Sequence, residues 1–347
     1  MKTRTLGRPC IVEGMYFRDV GHIVAPGGVG KTTLLLHHCI QIVTGGSIFG
    51  REVRMAGPVV YISAEDDSDS LGARLWQMCK DIDSKDDLEA IEKNLHIIDT
   101  AGHSVKLTTV EKEAVVPSRR LDTLIATLQQ IDPVMVFIDP LVSFGIGESR
   151  VNDAEQGMIE AGRRIVKQVG CGVLFVHHTG KSNVREGDGK QYSGRGGSAL
   201  ADGSRMVFTL ENVPPDKWQE ATGDALIDGE SALLFSSPKL TWCSPQPPIY
   251  LKRTGFAFLE FPYVGGTEGA QDRAIADAEK LHAFLKAELL AGRHHTGRSL
   301  EDIGFMKQKS LRSAIHTLKD QGRTVDEKEE GGGRGGARTW LRPVDRT

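Results

Sequence analysis

The stretch Ala25-Pro26-Gly27-Gly28-Val29-Gly30-Lys31-Thr32-Thr33 decides how this chain folds. A short apolar run with Val20, Ile23 and Val24 leads into it, and the amphipathic stretch Leu34 to Val43 leads out. Strand, glycine loop and helix is the context in which a phosphate-binding loop has physical meaning. Glycines let backbone N–H groups turn inward around an anion, and the helix N-terminus adds partial positive charge. Pro26, Gly27, Gly28, Val29, Gly30, Lys31, Thr32 and Thr33 then form a nucleotide cradle. Lys31 reaches the β and γ phosphates of ATP, and the Thr32 hydroxyl ligates Mg²⁺. One position departs from the strict pattern: Ala25 stands where the first glycine belongs.

Working outward, continuous apolar runs alternate with helical patterns. Val59 to Ser63 reads as a buried strand with Ala64-Glu65-Asp66-Asp67 at its end, followed by a helix over Ser68 to Lys80 and a strand over Leu95 to Ile98. Leu121 to Ile131 reads as helix, stopped by Asp132-Pro133. Val134 to Ile138 is a buried strand ending at Asp139-Pro140, Asp153 to Val169 a helix stopped by Gly170, and Val173 to Val176 a strand ending in His177-His178. Strands apolar on both sides, alternating with helices, imply a parallel sheet covered on both faces. Ligands of such sheets bind outside the carboxyl ends of the strands, where these polar residues fall. Strand-like runs at Met206 to Leu210, Ala232 to Phe235, Ile249 to Leu251 and Phe256 to Phe261 lack long helices between them and suggest an antiparallel extension.

Three strand ends carry chemistry. Asp139, after a buried apolar run, is the expected second half of a phosphate-loop site and would hold Mg²⁺. Pro140 occupies the position where many ATPases carry their catalytic glutamate, so Glu65 is the candidate base, provided that its strand neighbours that of Asp139. His177-His178 offers a polar group able to sense the γ-phosphate and pass its loss to the following segment. That segment, Lys181 to Lys190, is almost devoid of apolar residues; Lys181, Arg185 and Lys190 are candidate DNA-phosphate contacts, partly offset by Glu186 and Asp188.

The phosphate loop, Ala64-Glu65-Asp66, Phe137-Ile138-Asp139, His177-His178, Arg195-Gly196-Gly197-Ser198 and Arg205 together resemble the RepA-like hexameric replicative helicases of broad-host-range plasmids, within the RecA/DnaB-like ATPases. The likeness covers roughly residues 15 to 260. It implies a RecA-like core in which Glu65 activates the attacking water and His178 is the sensor. It also implies that Arg205 reaches a neighbouring subunit's ATP as a finger, accompanied by Lys239, and that Arg74, nine residues after Glu65, lies near the nucleotide base. A guanidinium suits the finger role because it is always charged and bridges phosphate oxygens. A finger acting in trans requires a homo-oligomer, a hexameric ring or a filament. Single-stranded DNA is the implied partner, with replication initiators or primases as further ones.

Beyond Gly265-Gly266-Thr267-Glu268-Gly269 the pattern changes to helix (Asp272 to Leu290), short helix (Leu300 to Ile303), amphipathic helix (Ser310 to Gln321) and two apolar arms around a glycine-rich tip. That order reads as a winged helix. Lys307, Lys309 and Arg312 sit in and before its recognition helix, together with Lys319, and Arg334 and Arg338 on its wing, against Glu327, Glu329 and Glu330. The expected organisation is a RecA-like α/β ATPase domain over 1–264, a linker over 265–271 and a winged-helix-like domain over 272–347.

Composition narrows the class. The net charge of −3 over 347 residues excludes a globally basic nucleic-acid coat, so DNA contacts must be local. Five cysteines without a C-x-x-C pair argue for a reducing compartment and against zinc. Met1-Lys2-Thr3-Arg4 is not followed by an apolar signal core, and no apolar run reaches the roughly 18 residues of a membrane span; a cytoplasmic protein is expected. The sequence thus points to an ATP-dependent DNA motor, with two alternatives: a RecA/RadA-type recombination or repair ATPase that does not unwind DNA, and a DNA-binding regulator switched by ATP. Glu65 counts against the last, since a pure switch needs no hydrolytic base.

Overall fold

The computed structural model describes residues 7–112, 114–146, 151–178, 199–264, 267–306, 308–329 and 338–344. They form two compact units, Met1–Gln219 with Asp224–Pro262 and Glu220–Gly223 with Tyr263–Thr347. The candidate contacts Lys181, Arg185, Lys190, Lys307 and Arg334, and the segment Arg195 to Ser198, lie outside the described residues, as do the side chains of Lys309 and Arg338.

The chain opens with the ribbon β1 (Cys10–Val12) and β2 (Tyr16–Phe17), then β3 (Val20–Ala25), α1 (Lys31–Thr44), the ribbon β4 (Ser47–Ile48) and β5 (Arg51–Glu52), β6 (Val59–Ser63), α2 (Ser68–Cys79), α3 (Lys85–Asn94) and β7 (Leu95–Asp99). The antiparallel pair β8 (Thr108–Glu111) and β9 (Ala114–Pro117) precedes α4 (Arg119–Ile131), β10 (Met135–Asp139), the single turn α5 (Leu141–Phe144), α6 (Val151–Val169) and β11 (Gly172–His178). Next come α7 (Ala199–Gly203), β12 (Met206–Asn212), α8 (Pro215–Thr222), β13 (Glu230–Leu240), β14 (Ile249–Thr254) and β15 (Ala257–Phe261).

Among the described residues one nine-stranded sheet organises the first unit, in the order β15-β14-β13-β12-β3-β11-β10-β6-β7. From β12 to β7 every neighbouring pair is parallel. Side chains alternate between two cores. Tyr61, Phe137, Leu174 and Val176 join Leu34, Leu35 and Cys39 of α1 on one face. Ile62, Val136, Ile138 and Phe175 meet Leu121 and Ile125 of α4 and Met158 and Ile165 of α6 on the other. Burial on both faces explains why these strands read as unbroken apolar runs.

The antiparallel extension starts one strand later than the sequence suggests. Met206 to Asn212 pairs in parallel with β3, and only β13, β14 and β15 alternate in direction. The short helix α8 and the turn after it reverse the chain between β12 and β13. Strand pattern carries no direction, so a parallel edge and a hairpin strand look alike in sequence. Helix α3 also goes beyond the sequence pattern: only Ile91 of its ten residues is buried, although Ser84 caps it by accepting from the Asp87 N–H.

The second unit runs α9 (Thr267–Leu290), α10 (Gly297–Asp302), α11 (Gln308–Asp320), then β16 (Thr324–Glu329) paired antiparallel with β17 (Arg338–Pro343). This is the helix, helix, helix, hairpin order of a winged-helix-like fold. Leu281, Leu285, Leu300, Leu311, Ala314, Leu318 and Leu341 form its core. Helix α9 begins at Thr267, inside the stretch expected to be linker. No described helix is long and apolar enough to cross a membrane, and all five cysteines are free thiols.

Candidate nucleotide site

Gly30 is the N-cap of α1, in a left-handed conformation (φ 99°) that favours glycine. It offers no side chain to the first-turn N–H groups, whereas Asp67, Ser84 and Ser118 cap α2, α3 and α4 with their own oxygens. The amides at the start of α1 therefore remain open to an anion. A Cβ placed on Gly27 or Gly28 would meet nothing within 4 Å, so the loop opens onto free space.

Lys31 is buried, and its ammonium donates to the carbonyls of Pro26 (2.7 Å) and Ala25 (3.4 Å). It also lies 3.3 Å from His178 Nδ1. Lysine has only protons to give, so Nδ1 accepts, which leaves the proton of a neutral ring on Nε2. That nitrogen stands 3.5 Å from Glu65 Oε1. His178 thus bridges the cradle lysine and the candidate base. Burial lowers the Lys31 ammonium from its ordinary value, and the carboxylates of Asp139 and Glu65 oppose that shift.

Register explains how Glu65 arrives. β6 and β10 are hydrogen-bonded neighbours with Ser63 opposite Asp139, and the ladder continues one step as Ala64 N–H donates to the Asp139 carbonyl. Glu65 is the next residue, released from the ladder with its side chain 58% exposed. The Ser63 hydroxyl holds the turn closed, accepting from Asp66 N–H at 3.1 Å and donating to the Asp66 carbonyl at 2.7 Å. Arg74 grips the Asp66 carboxylate with both terminal nitrogens, at 2.7 and 3.1 Å.

Asp139 is buried, and its Oδ2 accepts from the Thr32 hydroxyl at 3.3 Å and from the Tyr61 hydroxyl at 2.5 Å. Burial raises its pKa above the ordinary carboxylate value, while the bond from Tyr61 works in the other direction. In the sequence Tyr61 reads as one more apolar strand residue. A tyrosine inside a fully buried strand was the available signal, because its hydroxyl must find a partner.

These residues fit a polyphosphate with Mg²⁺. Thr32 and Asp139 would hold the ion, which when bound polarises phosphoryl oxygens. No cluster of three or more His, Cys, Asp or Glu among the described residues could hold a metal alone. Mg²⁺ at such sites relies on waters and substrate phosphates as well as one or two carboxylates.

The structure does not bring Arg205 and Lys239 to this cluster. Arg205 precedes β12, and its N–H donates to the carbonyl of Val20, the first residue of β3, whereas the phosphate loop follows the last residue, Ala25. About 16 Å of strand lies between. The Lys239 ammonium donates to the carbonyls of Ala201 (2.7 Å) and Asp202 (3.1 Å) at the end of α7. Between the poles lies a buried polar group: His22 on β3 shares a 2.8 Å hydrogen bond with Ser204. Burial, then His177 and Lys239, lower the His22 pKa to about 3. In the second unit Arg312 is paired with Glu301 at 3.2 Å and Lys319 with Asp326 at 2.7 Å.

Residues 7–184, a little over half of the chain, match a family model described as an AAA domain. The chain belongs to the AAA domain family. It therefore carries an ATPase domain, and the phosphate loop of this AAA domain falls inside the matched span. Among solved structures the chain is similar to one described as an ATPase domain, at 14% identity and a TM-score of 0.50, over 70% of this chain and 84% of that one. At that identity the likeness concerns the fold, the RecA-like P-loop core.

Proposed function

We propose that this AAA domain protein is an ATP-driven motor on DNA, a RepA-like replicative helicase that hydrolyses ATP between subunits of a ring. The observation that carries the reading is the convergence of Lys31, Thr32, Glu65, Asp139 and His178 on one pole of the sheet, with Arg205 at the other. Glu65 orients or deprotonates the attacking water, and Thr32 with Asp139 holds Mg²⁺. His178, touching both Lys31 and Glu65, reads the presence of the γ-phosphate; the chain leaves β11 directly after it toward Lys181, Arg185 and Lys190, the candidate contacts to single-stranded DNA. Arg205 serves as the finger for the neighbour's ATP. The ion pair with Asp66 ties Arg74 of α2 to the loop that carries Glu65, and the reading places Arg74 near the nucleotide base.

The test is ATP hydrolysis at micromolar protein with and without a single-stranded oligonucleotide, beside Lys31→Ala and Glu65→Gln. Stimulation by the oligonucleotide that both variants abolish is expected, followed by strand displacement on a forked duplex. Binding of ATP without turnover under any DNA condition overturns the motor. Turnover that DNA stimulates without strand displacement gives the protein to the recombination class instead.

A further inference from the structure

β14 runs in the same direction as β3, because β13 is antiparallel to both β12 and β14 and β12 is parallel to β3. The C-terminal end of β14 therefore reaches the pole that carries the phosphate loop. Ile249, Leu251 and Arg253 alternate onto one side of this strand, and the first two belong to the core that contains α1. Arg253 is the polar end of that stripe. A Cβ on Gly30 would lie 3.0 Å from Arg253 Cζ and closer still to Nη1, so the guanidinium rests against the N-cap of α1. The Arg253 Nε donates to the Gly255 carbonyl in the turn to β15 at 2.9 Å, which fixes the plane of the group.

Among the described residues its charge is uncompensated. Lys252, next in sequence and on the opposite face, has Asp224 at 3.0 Å and Glu230 at 3.5 Å. Arg253 has no carboxylate partner among the described residues, and Nε is its one side-chain donor with an acceptor there. A cation over the positive end of a helix, close to the uncapped amides, is electrostatically unfavourable by itself. An anion bound by those amides turns the same arrangement into an attraction.

We propose that Arg253 is a phosphate-binding residue of the nucleotide site, supplied by the chain's own β14–β15 turn and acting on di- and triphosphates; this rests on the nucleotide-site reading. Equilibrium binding of MgADP and of inorganic pyrophosphate to the full chain tests it, for wild type, Arg253→Ala, Arg253→Lys and Lys31→Ala. Arg253→Ala is expected to weaken both ligands by about tenfold or more, as loss of a charge-assisted hydrogen bond does. Arg253→Lys should recover part of that loss, because charge returns without the planar fork. Ligand-free Arg253→Ala should melt no lower than wild type, which separates a lost contact from a lost fold. Unchanged affinity for both ligands overturns the proposal. So does loss for ADP alone with no recovery by lysine, which would put the guanidinium on the nucleobase. If Lys31→Ala binds ADP as tightly as wild type, the nucleotide-site reading itself fails, whatever Arg253 does.

Discussion

At one pole of the main sheet β3, β6, β10 and β11 deliver Lys31, Glu65, Asp139 and His178 into a single cluster, whereas at the other pole Arg205 and Lys239 have no part in it. The first pole gathers the lysine, the hydroxyl and the acids that the proposed function assigns to binding a triphosphate and orienting water. The second presents an exposed guanidinium at the start of β12, too far along the sheet to touch a phosphate held by its own chain. Parallel strands impose this division: residues before one strand and residues after its neighbour lie at opposite ends of the sheet. Under the proposed function the division is useful, since a cation that cannot serve its own site couples turnover to assembly.

The sharpest way to break this comparison is Arg205→Ala. An arginine finger contributes on the order of 10³ or more to turnover, so hydrolysis should fall by about that factor while ADP affinity at low protein concentration stays unchanged. Mixing Arg205→Ala with Lys31→Ala should restore part of the activity, because some interfaces then join an intact loop to an intact arginine. No recovery on mixing would return the function of Arg205 to its own chain. Glu65→Gln probes the first pole and should lower turnover by roughly 10² or more with ATP affinity nearly unchanged. A comparable loss of affinity would make Glu65 part of the cradle instead of the base.

A smaller effect is expected from Tyr61→Phe. It removes the hydroxyl that donates to Asp139 at 2.5 Å and leaves a buried carboxylate with one partner fewer. A loss of about 1–3 kcal/mol in unfolding free energy should result, measured by urea titration at neutral pH. The mildest test concerns pH. His22, between the two poles, has its pKa lowered to about 3 by burial, and His37 is lowered to about 4 for the same reason. Their unfolded forms take up protons near pH 6.5, which the folded forms resist. The stability of the first unit is therefore expected to be full above about pH 6.5 and to decline as pH falls toward 3. In the second unit Glu288 is lowered to about 2 by hydrogen bonds from Arg293 and His295, so its contribution starts to be lost only below about pH 4.5. Hydrogen exchange resolved by peptide at pH 7.5 and pH 5.5 separates the two, and His22→Gln should flatten the slope of the first unit alone.

Much of the first pole was legible because its signals are local. Gly28, Gly30, Lys31 and Thr32 follow a buried run and open a helix, and Asp139 ends another run. Glu65 was legible conditionally, and the condition, adjacency of β6 and β10, is met by the register that sets Ser63 opposite Asp139. Tyr61 and Arg253 were not legible in the same way. Each touches a residue far away in sequence; the one local hint for Tyr61 is its hydroxyl in a buried strand, and nothing beside Arg253 distinguishes it from an ordinary strand residue. The direction of β12 escapes the sequence for a related reason: a strand's composition reports burial, not orientation.

By itself the sequence determined the strand–loop–helix of the phosphate site, the alternation of buried strands with helices, the acids that end two of those strands and the helix–hairpin order of the second unit. These rest on periodicity, glycine conformation and capping, which depend on residues a few positions apart. Only the tertiary structure decided that β11 lies between β3 and β10, that His178 bridges Lys31 and Glu65, that Arg205 stands at the far pole and that Arg253 rests on Gly30. Those depend on strand order and register, which are fixed by how two apolar faces pack across the whole sheet and leave no mark on neighbouring residues.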